Sequence, residues 1–160
     1  MPPGPSGDGA AGGHPGEGLP RARRIQKRPD FVRIQDSPVR VTTRHLLILL
    51  ARAAGAPLLP EQPSTPRRPS RLGVVASRKV GPAVTRNRAK RLVRETFRRS
   101  GDTFPAGLDV VIIVRPSPRW GPRPPAPPAP PLLGLEELRA EVAGIAAVVA
   151  RRARELVGRR

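Results

Sequence analysis

The chain has 160 residues, no cysteine, 2% aromatic residues and a formal net charge of +18. The lack of cysteine excludes disulfides and thiolate metal sites, and no stretch reaches the roughly 18 apolar residues of a membrane-spanning helix. A charge of this size works against compaction and favours a polyanionic partner, of which nucleic acid is the obvious one.

Two segments have a composition that does not form a packed core. Twelve of the first 20 residues are Pro or Gly, and nine of the sixteen residues from 116 to 131 are prolines. Neither segment has an apolar period that would offset the entropy of ordering. We therefore predict a disordered arm over 1–20, a domain over 21–117, a polyproline II linker over 118–133 and a C-terminal helix over 134–157 that packs on the domain.

The first half of the domain predicts a short helix followed by strands. Residues 28–36 suit a helix, and residues 39–53 are rich in β-branched and aliphatic side chains. The latter predict either one long strand or a short strand followed by a main one. Five prolines between 55 and 70 predict a loop. Residues 71–80 predict a further strand, in which Gly73 marks a bulge or a close approach of another group.

The second half predicts a helix, a buried strand and a last helix. Gly81-Pro82 breaks the chain and opens a helix over 82–99, since proline is tolerated in the first turn. The unbroken apolar run in 108–116 predicts a strand that is buried on both faces. An amphipathic pattern predicts one helix over 134–157. The order of elements is that of an α+β fold, with helices packed on a mixed sheet.

The helix over 82–99 divides into an apolar side and a cationic side. Seven of the seventeen residues from 84 to 100 are Arg or Lys, and Glu95 is the only acidic one. At about 3.6 residues per turn, the apolar side consists of Ala89, Leu92, Val93, Thr96 and Phe97. The opposite side consists of Asn87, Lys90, Arg91, Arg94 and Arg98, with Glu95 off this face. Like charges three or four residues apart repel, so we expect phosphate, which matches the arginine fork, to bind there.

The alternative interpretation is a solvated face in a protein with a general arginine bias. Lys27, Lys79 and Lys90 are the only lysines among the 30 basic residues, and such a composition weakens any argument from arginine content alone. The positions of the basic residues are therefore more informative than their number.

Residues 71–98, RLGVVASRKVGPAVTRNRAKRLVRETFR, resemble the signature segment of the bacterial ribonuclease P protein subunit. In that family a strand ends in Ser-Lys-Lys or a similar triplet, and a helix with the pattern Gly-x-Ala-Val-x-Arg-Asn-Arg-x-Lys-Arg follows. Upstream, RIQKRPDFVRI (24–34) is similar to the family's first helix. Downstream, DVVIIVRP (109–116) and the segment 134–157 are similar to its last strand and helix. The resemblance covers about residues 20–117 and 132–157.

The resemblance implies an α/β sandwich with the order α-β-β-β-α-β-α, similar to the second domain of a small-subunit ribosomal protein. It also implies a left-handed β-α-β crossover, against the usual right-handed rule. The crossover would join the strand in 71–80 to a neighbouring strand through the cationic helix.

The same resemblance implies a function in tRNA maturation. Family members work with a large catalytic RNA, and the holoenzyme, an endoribonuclease, cleaves the 5′ leader from precursor tRNA. The RNA carries the chemistry and holds most of the Mg²⁺, so we expect no catalytic residue and no metal site in the protein. We expect the catalytic RNA and precursor tRNA as partners, no stable protein partner, no membrane association and a cytoplasmic location.

Site residues are carried over by matching the family motif. The RNA-binding residues implied in this way, with the outward residue Arg98 added from the helix face, are Arg78, Lys79, Arg86, Asn87, Arg88, Lys90, Arg91, Arg94 and Arg98. Arg86 lies among the apolar residues of the helix, so we predict a partly structural role for it, with its head reaching the crossover turn or the RNA backbone. A cleft between the first helix and the sheet would take the single-stranded leader, and we place Phe31, Arg33 and Arg44 there.

The cleft departs from the family pattern because family members commonly place several aromatic residues there. This chain has Gln35 where a second aromatic is common, and its strand offers Leu46, Leu47, Ile48 and Leu49. Leader binding would then depend on Phe31, aliphatic contacts and arginines, although Phe31 is equally well interpreted as a core residue. Phe97 is predicted to be core, and Trp120 is given no role.

Other functions fit the sequence less well. No His, Asp or Glu cluster has the spacing of a metal site, so the Mg²⁺ chemistry of phosphodiester cleavage is assigned to the RNA. A ribosomal-type protein that only binds structured RNA is the main alternative. A DNA-binding regulator is the other, but it lacks a second short helix at helix-turn-helix spacing.

Overall fold

The computed structural model describes residues 18–53, 69–101, 103–121 and 130–158. The predicted arm up to residue 17, the predicted loop up to residue 68 and the proline tract from 122 to 129 lie outside these residues.

The described residues form four α-helices and four strands, and as far as α3 these follow one another in the order that the sequence predicts for an α+β fold. They are α1 (Arg28–Gln35), β1 (Arg40–Thr42), β2 (Leu46–Arg52), β3 (Arg71–Val75), α2 (Ala83–Arg99), β4 (Leu108–Val114), α3 (Leu135–Ala143) and α4 (Ala146–Gly158). The second of the two interpretations of residues 39–53 is correct, because a short strand precedes the main one.

The strands form one mixed sheet in the order β1-β2-β4-β3. β2 is antiparallel to both β1 and β4, whereas β3 is parallel to β4. Parallel neighbours need a crossover connection, and α2 makes it. The predicted β-α-β unit is therefore present, and its hand stays a prediction.

The strand predicted over 71–80 is shorter than expected. β3 ends at Val75, and a single 3₁₀ turn covers Arg78–Val80. The amide of Val80 donates to the Ser77 carbonyl at 3.0 Å, which turns the chain away from the sheet. Gly81 follows with a φ of 145°, a conformation that residues with side chains rarely adopt. This tight turn aims the chain into α2.

Successive residues of β2 point to opposite faces of the sheet and enter two separate cores. Leu46 and Ile48 belong to the larger core, which also contains residues of α2, α3 and α4. Leu49 and Ala51 belong to the smaller core, which contains Ile34 of α1. β4 is buried on both faces, as predicted. Among the described residues, three helices therefore cover one side of the sheet, and α1 with the segment before it covers the other.

The segment predicted as one helix over 134–157 is two helices separated by Gly144 and Ile145. Glycine has a low helix propensity, and the Ile145 amide donates to the Val142 carbonyl, three residues back, at 3.2 Å. The apolar side continues across the break, because Val142 and Val149 both lie in the larger core.

The folded part extends beyond the predicted domain limits at both ends. Leu19, in the predicted arm, is 3% exposed and belongs to the larger core. Trp120 and Leu133, near the two ends of the predicted linker, are also buried there, and Trp120 is completely inaccessible. The Trp120 indole N–H donates to the Arg115 carbonyl at 2.8 Å. Trp120, which sequence reasoning left without a role, is a structural residue.

Candidate RNA-binding surface

α2 docks on the sheet through the side that its sequence predicts. Its buried residues are Thr85, Ala89, Val93, Thr96 and Phe97, and Leu92 packs against them partly buried. The Thr96 hydroxyl donates to the Leu92 carbonyl at 2.8 Å, which removes the cost of burying it. Burial of this side fixes the direction in which the basic side chains of α2 point.

A groove runs beside the cationic face of α2, and we call it the helix groove. Its volume is about 470 Å³. It is lined by Gly18, Leu19, Arg24, Asn87, Lys90, Arg91, Arg94 and Glu95. Four of the five residues predicted for this face lie together on its wall, and Arg24 joins them from the segment before α1.

Among the described residues, no carboxylate forms an ion pair with a cation of the helix groove. Within the part of the chain that the structure describes, no ion pair involves Lys90, Arg91 or Arg94. Burial lowers the pKa of Arg94 from its ordinary value, and the positive charge of Arg24 lowers it further. The groove therefore concentrates positive charge that the described protein does not neutralise.

Arg98 differs from the other predicted residues of this face. It does not line the helix groove. Its guanidinium pairs with Glu95, and Nε of Arg98 lies 3.0 Å from Oε2 of Glu95. Although Glu95 itself lies off the cationic face, Arg98 pairs with it, because the arginine side chain reaches back one turn in the ordinary i,i+3 geometry of a helix.

Three predicted residues lie near the start of α2. Arg78 and Lys79 are exposed on the 3₁₀ turn that precedes the helix. Arg86 is partly buried, and its Nε is buried without a hydrogen-bond partner. The partly structural role predicted for Arg86 and its RNA contact both stay predictions.

Arg88 points away from the helix groove and holds the chain on either side of the proline tract. Its two terminal nitrogens donate to the Trp120 carbonyl at 2.7 Å and to the Leu133 carbonyl at 2.9 Å. The Leu133 amide in turn donates to the Arg119 carbonyl at 2.8 Å, so the two flanks are tied to each other as well. The geometry gives Arg88 a structural partner, which the motif does not indicate.

A second groove, which we call the Phe31 groove, lies between the segment before α1 and β3. It has a volume of about 480 Å³ and is lined by Arg21, Arg24, Ile25, Gln26, Phe31, Leu72, Gly73, Val74 and Arg94. A Cβ atom on Gly73 would lie 2.5 Å from the Phe31 ring, so only glycine permits this contact. The close approach predicted at Gly73 is therefore made by an aromatic side chain.

Beyond the Phe31 groove the sheet presents an open apolar row. Leu47, Ile113 and Val75 are direct neighbours across three strands. All three are only partly buried, as is Phe31, and they pack against the smaller core. Four strand residues were considered for the cleft, and two of them, Leu47 and Leu49, lie on this face of the sheet. Leu47 stays partly accessible beside α1, whereas Leu49 is buried.

The two arginines predicted for the cleft have different surroundings. Arg33 is tied to the sheet by hydrogen bonds to the Arg52 carbonyl at 2.8 Å and to Asp109 Oδ2 at 2.6 Å. Arg44 is exposed on the turn between β1 and β2. The structure brings neither of them into the Phe31 groove, and their leader contacts stay predictions.

Arg24 is the residue of this surface that sequence reasoning missed. It forms a parallel bridge to Leu72 at the open edge of β3, and the next residue, Ile25, donates its amide to the Leu72 carbonyl at 2.8 Å. The sequence shows that Arg24 lies in a basic segment, but the pairing of this segment with β3 depends on the tertiary structure.

The described residues offer no group of three His, Asp or Glu side chains placed to hold a metal ion. The helices described are too short or too polar to cross a membrane. The assignment of Mg²⁺ to an RNA partner stays a prediction.

Comparison with known proteins identifies the family. The family model described as Ribonuclease P matches residues 19–119. The ribonuclease P protein component of Oleidesulfovibrio alaskensis is 38% identical over 106 residues, which cover 66% of this chain and 74% of that protein. The corresponding protein of Thermotoga maritima is 35% identical over 99 residues, covering 62% and 74%.

Solved structures agree with this match. The RNase P protein from Thermotoga maritima in complex with 1-(4-fluorophenyl)-2-thiourea is 26% identical, with a TM-score of 0.55 over 77% of this chain and 96% of that one. A Staphylococcus aureus RNase P protein mutant is 22% identical and supports the fold alone, with a TM-score of 0.58 over 81% and 89%. The profile match, the relatives and the shared fold together show that the chain belongs to the ribonuclease P protein family.

Proposed function

We propose that this chain binds the catalytic RNA of ribonuclease P through the cationic face of α2 and the turn before it. In this proposal it also holds the 5′ leader of precursor tRNA, and so assists the endonucleolytic cut that produces the mature 5′ end. The observation that carries the proposal is the row of unneutralised cations in the helix groove, next to a groove that exposes Phe31.

The helix groove suits the backbone of a structured RNA. Asn87, Lys90, Arg91 and Arg94 offer amide, ammonium and guanidinium donors on one helix face. Guanidinium groups donate to phosphate in pairs, and these bonds are strong because both partners are charged. The burial of the opposite side of α2 on the sheet supports this role, since it directs these donors outward.

The Phe31 groove and the apolar row suit unpaired bases. A base that stacks on an aromatic ring contributes about 1–3 kcal/mol, with little dependence on its identity. Phe31 offers one such ring beside Arg21 and Arg24, and the open row of Leu47, Ile113 and Val75 offers flat apolar contact without stacking. Leader binding in this chain would therefore depend on one aromatic and several arginines.

The chemistry of cleavage is assigned to the RNA subunit, which would hold most of the Mg²⁺. The described residues of the protein do not fit a metal site of their own. The protein would contribute binding and orientation of the two RNAs, and no side chain of it is given a catalytic role.

Reconstitution with the cognate ribonuclease P RNA, with precursor tRNA cleavage assayed at low Mg²⁺, tests the proposal. The protein should raise the cleavage rate, and Arg91→Ala should weaken RNA affinity and lower the slope of log affinity against log salt by roughly one. Arg154→Ala is the matched control, because it removes an exposed arginine of α4 that lines neither groove.

Two results would contradict the proposal. One is no stimulation of cleavage by the unchanged protein. The other is a double variant, Lys90→Ala with Arg94→Ala, that leaves both the affinity and its salt dependence as they were.

A further inference from the structure

Arg24 and Arg94 are the two residues that the helix groove and the Phe31 groove have in common. They come from different elements, since Arg94 is on α2 and Arg24 is on the segment bridged to β3. Because each forms part of both walls, the two grooves meet at this pair.

The pair holds two like charges close together. The charge of Arg24 helps to lower the pKa of Arg94, which is the mark of repulsion between them. Glu95, the carboxylate on the wall of the helix groove, is engaged by Arg98 and Arg99. Among the described residues no acidic side chain forms an ion pair with Arg24 or Arg94.

The backbone holds Arg24 in place despite this repulsion. Its Nε donates to the Leu19 carbonyl at 2.8 Å, and Leu19 is itself buried in the larger core. This bond uses one of the five N–H donors of the guanidinium. Within the part of the chain that the structure describes, the remaining donors of Arg24 and those of Arg94 make no hydrogen bond, so they can donate to an anion at the junction.

We propose that Arg24 and Arg94 together bind one backbone phosphate of the single-stranded leader, at the point where the leader leaves the Phe31 groove and reaches the edge of the helix groove. An anion between two guanidinium groups replaces a repulsive contact by two attractive ones. The proposal rests on the proposed function, and it adds a phosphate site at the junction where the leader meets the surface assigned to the catalytic RNA. It also gives Arg24, which lies outside the matched helix motif, a binding role.

A double-mutant cycle tests whether the two arginines share one phosphate. The full chain is titrated with a fluorescent single-stranded RNA of about eight nucleotides at several salt concentrations. Each phosphate contact to a single strand contributes about 0.7 to the salt slope. Arg24→Ala combined with Arg94→Ala should therefore lower the slope by about 0.7 in total. The loss of affinity should depart by more than about twofold from the product of the two single losses.

Arg21→Ala combined with Arg91→Ala is the matched control pair. Arg21 lines only the Phe31 groove and Arg91 lines only the helix groove, so their losses should multiply to within about twofold. Arg24→Lys is measured beside Arg24→Ala, with a thermal melt of each, because alanine also removes the bond to Leu19. Lysine keeps the charge without the fork, so it should bind more weakly than arginine and more tightly than alanine.

The inference would be overturned if the two arginines bound two separate phosphates. The salt slope of the Arg24/Arg94 double variant would then fall by about 1.4, and the affinity losses of the two single variants would multiply. An unchanged slope and affinity in that variant would overturn it as well. Arg91→Ala separates the inference from the proposed function. If it weakens affinity for the catalytic RNA while the Arg24/Arg94 double variant gives one of these two contrary results, the inference fails and the proposed function stands. If the unchanged chain neither binds RNA nor stimulates cleavage, the proposed function itself fails.

Discussion

Arg88 shows how one motif residue can serve the fold instead of the surface around it. Its guanidinium spans the carbonyls of Trp120 and Leu133, which are far apart in sequence. The angular position of Arg88 on α2 already separated it from the cationic face. Its partners were not predictable, because a proline-rich composition gives no sign that the flanks of the tract return to the helix.

Arg88→Gln and Arg88→Lys are expected to lower the free energy of unfolding by about 1–3 kcal/mol, since either loses the forked bond to two carbonyls. The salt slope of RNA binding should stay unchanged in both. Chemical denaturation and RNA titration measure the two quantities. A lysine variant with normal stability, combined with a glutamine variant that has a lower slope, would instead indicate a direct contact with RNA.

Glu95 contributes a pH-dependent part of the stability. Hydrogen bonds from Arg98 and then Arg99 lower the pKa of its carboxyl from 4.5 to about 2 in the folded chain. A carboxyl whose pKa is lower when folded stabilises the protein above its unfolded pKa. The contribution is therefore complete above about pH 4.5 and is lost as the pH falls toward 2.

Glu95→Gln should consequently flatten the decline of stability between about pH 4.5 and 2. The side chain is 27% exposed, so the difference between the two proteins at neutral pH should stay below about 1 kcal/mol. Urea unfolding across this pH range measures it, and added salt should narrow it. Equal slopes of stability against pH in the two proteins would show that the pairing is absent in solution.

At the scale of elements, α1 is held on the sheet by a buried carboxylate. Asp109 of β4 is completely inaccessible, and both of its oxygens accept from Arg71 of β3, at 2.9 and 2.8 Å. Arg33 of α1 donates to the same carboxylate. The sequence shows only that Asp109 lies near the start of the apolar run in 108–116. The cluster depends on strand order, which a single sequence does not contain.

Asp109→Ala should destabilise the fold by about 3–5 kcal/mol, because it leaves the partly buried Arg71 with only the more distant Asp30 carboxylate, at 3.9 Å. A guanidinium does not lose its proton in a protein, so Arg71 would stay charged in the variant. Glu136→Ala, which breaks an exposed pair with Arg139, is the control and should cost less than about 1 kcal/mol. Similar losses in the two variants would contradict the assignment.

The open apolar row is a second feature that only the paired strands reveal. The alternation along β2 identifies two faces, but which face remains open depends on where α1 lies. Leu47→Tyr should add a stacking surface there and tighten single-stranded RNA binding by about 1–3 kcal/mol per base. The matched change Leu49→Tyr, at a buried position two residues along, should destabilise the fold instead through overpacking. RNA titration measures the first effect and thermal melts measure the second. If Leu47→Tyr gave no gain in RNA affinity, the open apolar row would not be part of the leader site.

For the whole molecule, the element order and the cationic helix face could be predicted, whereas the limits of the core could not. Composition identifies segments that do not fold on their own. It does not show that Leu19 or Trp120 is covered by residues distant in sequence. The His45 ring, for example, meets the Trp120 ring edge-on at 6.0 Å, and His45 is itself bound through Nδ1 to Glu141 of α3 at 2.7 Å.

The net charge of +18 acts on the free protein and on its RNA complex in opposite directions. In the free protein, like charges such as those of Arg24 and Arg94 repel, and dissolved salt screens this repulsion. In the complex, the same charges displace counterions from RNA, and added salt favours their return. One physical property therefore predicts two measurable trends.

Raising the salt concentration from about 50 to about 200 mM should increase the melting temperature of the free chain. The same change should weaken single-stranded RNA binding by roughly 50-fold if about four phosphates are held, since each contributes about 0.7 to the slope. Lys90→Ala with Arg91→Ala should reduce both effects together, because these residues contribute to the repulsion and to the binding alike. The double variant could instead reduce the salt dependence of RNA binding and leave the salt dependence of the melting temperature unchanged. In that case the cations of the helix groove would not be the ones whose repulsion destabilises the free protein. Phosphate binding on α2 would then relieve no repulsion that destabilises the free protein, and the charges that do so would lie elsewhere on the molecule.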